Sequence, residues 1–292
     1  MKRILTLAVF GVVLALFSCT REVSDTSIDT PEVKELTEAT NTDVQMDGTA
    51  EEVFDNAAGI DAATAGEALG IYGEWGLGLF PNVDNPITGG RCYTVTVTPK
   101  DRGVFPKKVV IEFGNDCRIN GRVRKGKIVT MYSGPLHIPG NKSVTELDGY
   151  FLDSMKITGR FQLQNTTEPG SNQRRFTRTV SAKVYSLNRN IWWSWSGTTV
   201  TTQIEGNGTP MFPRDDIFRI TFSRKGEYSD GRTWAAETKE PLIKAFTCPW
   251  ISKGSVFIRT NGREAILDYG KGECDKEATL TINGVSKVIK LR

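Results

Sequence analysis

The sequence predicts an all-β protein with an antiparallel sandwich or a barrel-like body. Strict period-two alternation occurs in Tyr93–Thr98 (YTVTVT), and successive side chains of a strand point to opposite faces. Turn dipeptides such as Asn261-Gly262 and Asn283-Gly284 separate the apolar segments, and they tolerate the positive φ angles of tight hairpins. No helical pattern of normal length follows residue 90, which argues against parallel strands joined by helices.

The remaining strands are expected at short intervals along residues 91–292. They are Val109–Phe113, Lys127–Tyr132, Tyr150–Gln164 with a break, Phe176–Tyr185, Ile191–Ile204, Ile217–Phe222, Thr233–Lys239, Ser255–Arg259, Ala265–Tyr269, Ala278–Ile282 and Val285–Leu291. This whole region is predicted to form one β-rich body.

Four cysteines of the body are expected to form two disulfides that each close a hairpin. Cys117 follows Cys92 by 25 positions and Cys274 follows Cys248 by 26. Four cysteines allow three connectivities, and the matched spacings favour Cys92–Cys117 and Cys248–Cys274. The similar runs IEFGNDC and ILDYGKGEC precede the second cysteine of each pair, which predicts an internal pseudo-repeat over 92–132 and 248–291. A zinc site is disfavoured because there is no C-x-x-C motif and His137 is the one histidine.

Residues 1–18 have the organisation of a lipoprotein signal peptide. Lys2 and Arg3 precede the apolar stretch Ile4–Phe17, which is too short to span a membrane. The stretch ends in Leu-Phe-Ser before Cys19 and resembles a bacterial lipobox, so Cys19 is expected to carry acyl chains. The expected location is the cell envelope, lipid-anchored at the outer membrane, with its facing left open. The alternative is an ordinary signal peptide with an accidental cysteine.

Charge divides the chain into an acidic and a basic part. Residues 20–90 contain 15 acidic and 2 basic residues, whereas residues 91–292 contain 19 acidic and 33 basic ones. Residues 19–48 are predicted to be a flexible, lipidated acidic tether because they offer little apolar surface to bury. Residues 49–90 are predicted to hold a short helix near 50–68, begun by a capping box at Thr49–Glu52, and a Gly-rich lead-in. A tether that lies on the basic body is the disfavoured alternative.

Several longer segments resemble uncharacterised, β-rich lipoproteins of Bacteroidota. The motifs are IEFGNDC, GRVRKGK and LDGYFLDSMKITG in the first half of the body, and EPLIKAFTCPWISKGSVFI and LDYGKGECDKEATLTINGV in the second. The resemblance covers most of residues 90–292. It implies an envelope location and a β fold, and it implies no catalytic residue.

Two groups of side chains are candidate ligand-binding residues. Trp193 and Trp195 share one face of a predicted strand, while Trp192 points to the other. Exposed together, Trp193 and Trp195 suit a glycan; the alternative is core packing. A basic group, Arg122, Arg124 and Lys125, suits an anionic lipid or glycan, or is simply a solvated strand face.

The function expected from these observations is a non-catalytic binding or structural module of the cell envelope. A surface protein that binds glycans through the tryptophan strand is the alternative. A glycoside hydrolase that pairs Glu112 with Asp268 is a third hypothesis, weighed against two acids that are solvated or cap backbone amides. No catalytic residue, metal or cofactor is assigned. Export makes a nucleic-acid partner unexpected, and the oligomeric state is left open.

Overall fold

Thirteen antiparallel strands and one long helix make up the described part of the chain. The computed structural model describes residues 30–58, 92–101, 103–119, 121–209 and 213–291. The predicted signal peptide, Cys19 and the Gly-rich lead-in lie outside these residues. The elements are α1 (Pro31–Ala58), β1 (Tyr93–Thr98), β2 (Lys107–Ile119), β3 (Arg122–Tyr132), β4 (Lys142–Leu152), β5 (Met155–Asn165), β6 (Arg175–Ser186), β7 (Ile191–Glu205), β8 (Ile217–Tyr228), β9 (Thr233–Ala245), β10 (Lys253–Thr260), β11 (Arg263–Lys271), β12 (Glu277–Ile282) and β13 (Val285–Lys290).

The predicted all-β, antiparallel fold class is confirmed, and the strands form one continuous sheet. Each strand is hydrogen-bonded to the strands before and after it in sequence, from β1 at one edge to β13 at the other. The segment predicted as Tyr150–Gln164 with a break contains the end of β4 and nearly all of β5. Asp153, with φ of 54°, lies in the two-residue turn between these strands, where positive φ favours a tight hairpin.

Both predicted disulfides are present, and each closes a hairpin. Cys92–Cys117 joins the start of β1 to β2, with 5.1 Å between the Cα atoms. Cys248–Cys274 joins the segments that flank β10 and β11, with 5.8 Å between the Cα atoms. The connectivity inferred from spacing is therefore confirmed. The origin of the two hairpins by duplication stays a prediction.

The helix begins at Pro31, so the predicted start near residue 50 is wrong. Thr30 precedes it, and its Oγ1 accepts a hydrogen bond from the backbone N–H of Val33, as expected of an N-cap followed by proline. Thr49, the predicted N-cap, lies inside the helix and donates from Oγ1 to the carbonyl oxygen of Gln45, a bond that is compatible with a helix interior.

One stripe of α1 is buried, which corrects the prediction of a tether over residues 19–48 for the part from Pro31 onward. The buried side chains recur at helical spacing and are Leu36, Ala39, Thr40, Asp43, Met46, Thr49, Ala50, Val53 and Phe54. The stripe includes a carboxylate and two threonines, so its apolar periodicity is weak in the sequence. Its burial makes the helix part of the folded body.

The sheet curls around the helix. The same helix contacts β4 and β5 on one side and β10 and β11 on the other. A single turn of the helix reaches both sides, because Gln45 donates from Nε2 to the sulfur of Met155 on β5 at 3.2 Å and Asp43 lies close to Tyr269 on β11. In a flat sheet β5 and β11 would be about 29 Å apart, since neighbouring strands are ~4.8 Å apart, whereas a helix is only ~10–12 Å wide. The inner face of the sheet must therefore be concave, with α1 occupying it. Among the described residues, no helix is both long and apolar enough to cross a membrane.

Candidate functional site

The two tryptophans predicted to form a ligand surface are buried against the helix. Trp193 and Trp195 are 7% and 3% exposed. Trp193 donates from Nε1 to the sulfur of Met46 at 3.0 Å, and Trp195 packs edge-on against Phe161 with 6.2 Å between ring centroids. The alternative of core packing therefore describes both side chains, and an exposed glycan surface formed by them is ruled out.

The predicted basic group does not converge on a common site. Arg122 donates to the carboxylate of Asp153. Arg124 is buried, and its Nη1 donates to the carbonyl oxygen of Ile119 at 2.7 Å. Lys125 is exposed on the outer face of β3. Lys125 points to the face opposite Arg124 because neighbouring strand residues alternate, and Arg122 and Arg124 bind different partners.

The two acids considered for hydrolysis are engaged locally. Glu112 on β2 forms an ion pair with Lys127 on β3. Asp268 on β11 accepts a hydrogen bond from the backbone N–H of Gly270 at 2.8 Å. Strands β3 to β10 lie between them in the sheet order. Asp268 therefore caps a backbone amide, as the alternative interpretation proposed.

The helix is attached to the inner face by a set of carboxylate–guanidinium contacts. Five acids of α1 pair with three arginines of the sheet: Glu32 and Glu35 with Arg263, Glu38 with Arg232, and Asp43 and Asp47 with Arg224. The acidic segment and the basic body are thus in direct contact, which is the arrangement that the sequence analysis disfavoured.

The pair between Asp43 and Arg224 is buried deep under the helix. Both side chains are less than 10% exposed. Burial raises the pKa of Asp43 to about 6, because the neighbouring guanidinium of Arg224 only partly offsets the loss of hydration. Burial likewise raises the pKa of Tyr269, which lies close to this pair. We interpret this cluster as a structural connection between α1 and β8, and a cavity of about 170 Å³ adjoins it.

A groove of about 640 Å³ crosses the outer face of the sheet from β6 to β11. We call it the serine groove. Its floor contains Ser181, Ser194 and Ser196, and its walls include Lys225, Glu227, Thr233, Arg259 and Glu264. A cleft of this size falls in the range that proteins use for small ligands.

Strand register explains why these residues meet. The residues paired directly across neighbouring strands form one row: Ser181, Ser196, Lys225, Ala235, Arg259 and Glu264. Small side chains in the first half of the row leave a low floor, and the longer ones at β8, β10 and β11 rise beside it. Sheets twist, and a twisted sheet is concave along one diagonal of each face, so a groove forms on the outer side as well.

The charged residues of the serine groove include both acids and bases, and only some of them form ion pairs within the described residues. Arg259 donates to Glu264 and Glu237 at 2.9 and 2.6 Å, and these hydrogen bonds raise the pKa of its guanidinium. Lys225 and Glu227 lie two residues apart on β8, and within the described residues neither has an ion-pair partner. Arg263, which also lines the groove, is paired with Glu32 and Glu35. Hydroxyls donate and accept, ammonium groups donate and carboxylates accept, so the groove offers both kinds of hydrogen bond.

The residues of the serine groove were not predicted as binding residues from the sequence. The signal that pointed to it lies in Trp192-Trp193-Ser194-Trp195-Ser196: once Trp193 and Trp195 are assigned to the core, Ser194 and Ser196 must face outward. The wall residues on β8 to β11 come from 30 to 70 positions further along the chain, and only the register of the folded sheet brings them there.

Neither a metal site nor a known relative assigns a function to the described residues. Across the described ranges, no group of three or more His, Cys, Asp or Glu side chains is placed to hold a metal ion. Comparison of the chain with family models, with curated proteins and with solved structures gave no match.

Proposed function

We propose that this protein is a lipoprotein of the cell envelope, anchored at the outer membrane through Cys19, and that its β body is a non-catalytic binding module. The lipobox-like sequence that ends at Cys19 supports the anchor. The pairing of all four remaining cysteines supports an oxidising compartment, because disulfides persist there and are rare in the cytosol.

The serine groove carries the binding role in this proposal. It is the largest of the described cavities, and hydroxyls on its floor have no partner among the described side chains. Each arginine of its lining is paired with two carboxylates, and Lys225 and Glu227 carry opposite charges, so the groove favours a neutral ligand over an anion or a cation. A polyhydroxylated ligand presents alternating donors and acceptors, so a glycan is the class that suits this surface best. The glycan hypothesis therefore rests on this groove and no longer on Trp193 and Trp195.

A groove-filling substitution tests the binding role. Ser196→Trp places an indole on the floor and is expected to reduce binding of the chain from residue 20 onward on a glycan array at least tenfold. Thr198→Trp is the matched control, since Thr198 is exposed on the same face of β7 but does not line the groove. Binding that survives Ser196→Trp unchanged, or no binding by the unsubstituted protein to any glycan, contradicts the proposed role of the groove.

A further inference from the structure

A row of aromatic and lysine side chains crosses the outer face of β3 to β7. Five residues lie directly opposite one another on successive strands: Lys125, Phe151, Lys156, Tyr185 and Trp192. We call this set the aromatic–lysine row. Lys125, Lys156 and Tyr185 are exposed, and Phe151 and Trp192 are half-buried. The row lies close to the turns that join β4 to β5 and β6 to β7.

The row has an excess of positive charge. Lys183, two residues from Tyr185, places its ammonium group 3.4 Å from the ring centroid of Trp192. Within the described part of the chain, Lys125, Lys156 and Lys183 have no carboxylate partner. Of the acids on neighbouring strands, Asp153 binds Arg122, Glu227 lies opposite Ser194 and Asp148 lies opposite Lys127. The row itself contains lysines and no acid, and in this it differs from the serine groove, whose lining includes Glu227 and Glu264.

The turn between β6 and β7 extends this surface beyond the sheet. Leu187 is 60% exposed, which is the highest value among the large apolar residues that the structure describes. Arg189 in the same turn is also exposed. Exposed aliphatic and aromatic side chains among lysines and arginines are typical of surfaces that rest in the headgroup region of a bilayer, where long cationic side chains reach the phosphates.

The start of α1 lies at the same end of the sheet as this turn. In an up-and-down sheet, the turns after β6, β8 and β10 are all at one end. Glu38 of α1 pairs with Arg232 in the turn after β8, and Glu35 pairs with Arg263 at the turn after β10. Cys19 precedes Pro31 by 12 positions, a length of chain that spans at most ~40 Å even when fully extended.

We propose that the aromatic–lysine row, with Lys183, Leu187 and Arg189, docks on anionic lipid headgroups of the membrane that holds the anchor. The proposal rests on the lipid anchor at Cys19, because that anchor places this end of the sheet nearest the bilayer. Acylated Cys19 holds the N-terminal end of the chain at the membrane. Contact between the aromatic–lysine row and the lipid headgroups sets the orientation of the β body relative to the bilayer. The uncompensated lysines favour anionic lipid over a neutral glycan.

Vesicle binding without the anchor tests the docking surface separately from the proposed function. The chain from residue 20 onward, which keeps every described element, is mixed with vesicles of phosphatidylglycerol and phosphatidylcholine, or of phosphatidylcholine alone, at low and moderate salt. We expect binding to the anionic vesicles only. The triple substitution of Lys125, Lys156 and Lys183 to Ala is expected to weaken this binding at least tenfold. Binding should also weaken as salt rises.

A matched triple variant separates a specific surface from a general effect of net charge. Lys108→Ala, Lys253→Ala and Lys276→Ala remove the same charge from exposed positions at the opposite end of the sheet, and should leave binding within twofold of the unsubstituted protein. Equal losses in both triple variants, or no binding to anionic vesicles, overturn the proposal. Binding of a glycan through Tyr185 and Trp192 in place of vesicles also overturns it.

A fluorescence measurement tests the orientation. Brominated anionic lipids quench tryptophans that reach the headgroup region, and Trp192 is the tryptophan of the row. The quenched fraction is expected to fall in Trp192→Phe and to persist in Trp250→Phe, since Trp250 lies in the β9–β10 connection at the opposite end. Equal quenching in the two variants contradicts the proposed orientation. Neither result depends on acylation or on the serine groove.

Discussion

Asp43 on α1 and Arg224 on β8 form a buried ion pair across 181 positions of sequence, with 3.3 Å between Oδ1 and Nη1. Asp47, one helical turn later, contacts the other guanidinium nitrogen at 2.7 Å. The helix is thereby joined to the middle of the sheet by a charge cluster in which Asp43 and Arg224 are buried and Asp47 is partly exposed. The first two predictions concern this cluster.

Arg224→Leu is expected to destabilise the fold by about 3–5 kcal/mol, because it leaves a buried carboxylate without its partner. Arg259→Leu is the control, since Arg259 also contacts two carboxylates but all three side chains are well exposed. Exposed pairs contribute only ~0–1 kcal/mol. Urea unfolding of both variants measures the difference. Equal losses in the free energy of unfolding would show that burial does not increase the contribution of the Arg224 cluster to stability.

Stability is expected to rise as the pH is lowered from 7 to 5. The folded-state pKa of Asp43 is raised to about 6 from an ordinary value of 3.8. The folded protein therefore takes up the proton before the unfolded chain does, so this contribution is complete below about pH 4 and is lost as the pH rises through 6. Asp216 behaves in the same way, since burial raises its pKa to about 6. Each group is worth on the order of 1 kcal/mol over this interval.

Asp43→Asn should remove the part of this pH dependence that Asp43 contributes. Urea unfolding at pH 5 and pH 7 gives the difference in the free energy of unfolding for the natural chain and the variant. Asp148→Asn is a control at an exposed carboxylate. A natural chain that loses stability between pH 7 and pH 5, or an Asp43→Asn chain with an unchanged difference, is inconsistent with the buried carboxylate.

Met46→Ala is expected to cost about 2–5 kcal/mol, the usual range for truncating a fully buried methionine. It also removes the sulfur that accepts the hydrogen bond from Trp193, so the tryptophan emission should change. Asn41→Ala, on the exposed stripe of the same helix, should change stability little. Thermal unfolding of the two variants decides whether residues 31–48 belong to the fold. A negligible change in thermal stability on Met46→Ala would indicate that residues 31–48 act only as a spacer.

The sequence revealed the strands well because each one pairs with its sequence neighbours. Alternation in segments such as Tyr93–Thr98 and turn signals such as Asn283-Gly284 are local, and an up-and-down sheet requires only local pairing. The disulfides were predictable for the same reason, since each closes a hairpin of neighbouring strands.

The helix was not predictable from local signals, because its inner stripe is stabilised by distant residues. Between Pro31 and Thr49, Leu36 and Met46 are the only large apolar side chains that are fully buried, and Asp43 is tolerated inside only because Arg224 faces it. The prediction of a flexible tether over residues 19–48 implied that its acidic residues are exposed. That assumption was wrong for Asp43, since its ion pair is buried and its segment also packs apolar side chains.

Only part of the candidate site could be predicted from the sequence, for a related reason. The pattern Trp193-Ser194-Trp195-Ser196 defines two faces, but it does not say which face is inside. The interior helix decides this, because Met46 contacts Trp193 and thereby leaves Ser194 on the outer face. The wall residues Lys225 and Glu227 follow from the β7–β8 register, which no local pattern specifies.

Loss of the second disulfide is expected to destabilise the body without changing its topology. A Cys248→Ala and Cys274→Ala double variant releases a loop closed over 26 positions, for which the chain-entropy model gives about 3 kcal/mol. Urea unfolding measures the loss, and non-reducing peptide mapping of the variant should still give the Cys92–Cys117 peptide. A cross-linked peptide between the two hairpins in the natural chain is inconsistent with the structure.

Metabolic labelling with a clickable fatty acid tests the central claim, that the protein is a lipoprotein anchored through Cys19. Cells that express the natural chain should incorporate the label into a membrane-associated protein, and a Cys19→Ala chain should carry none. Ser18→Ala keeps a small residue before the cysteine and should still be labelled. Absence of label on the natural chain, or an equal amount on the Cys19→Ala chain, would contradict the claim.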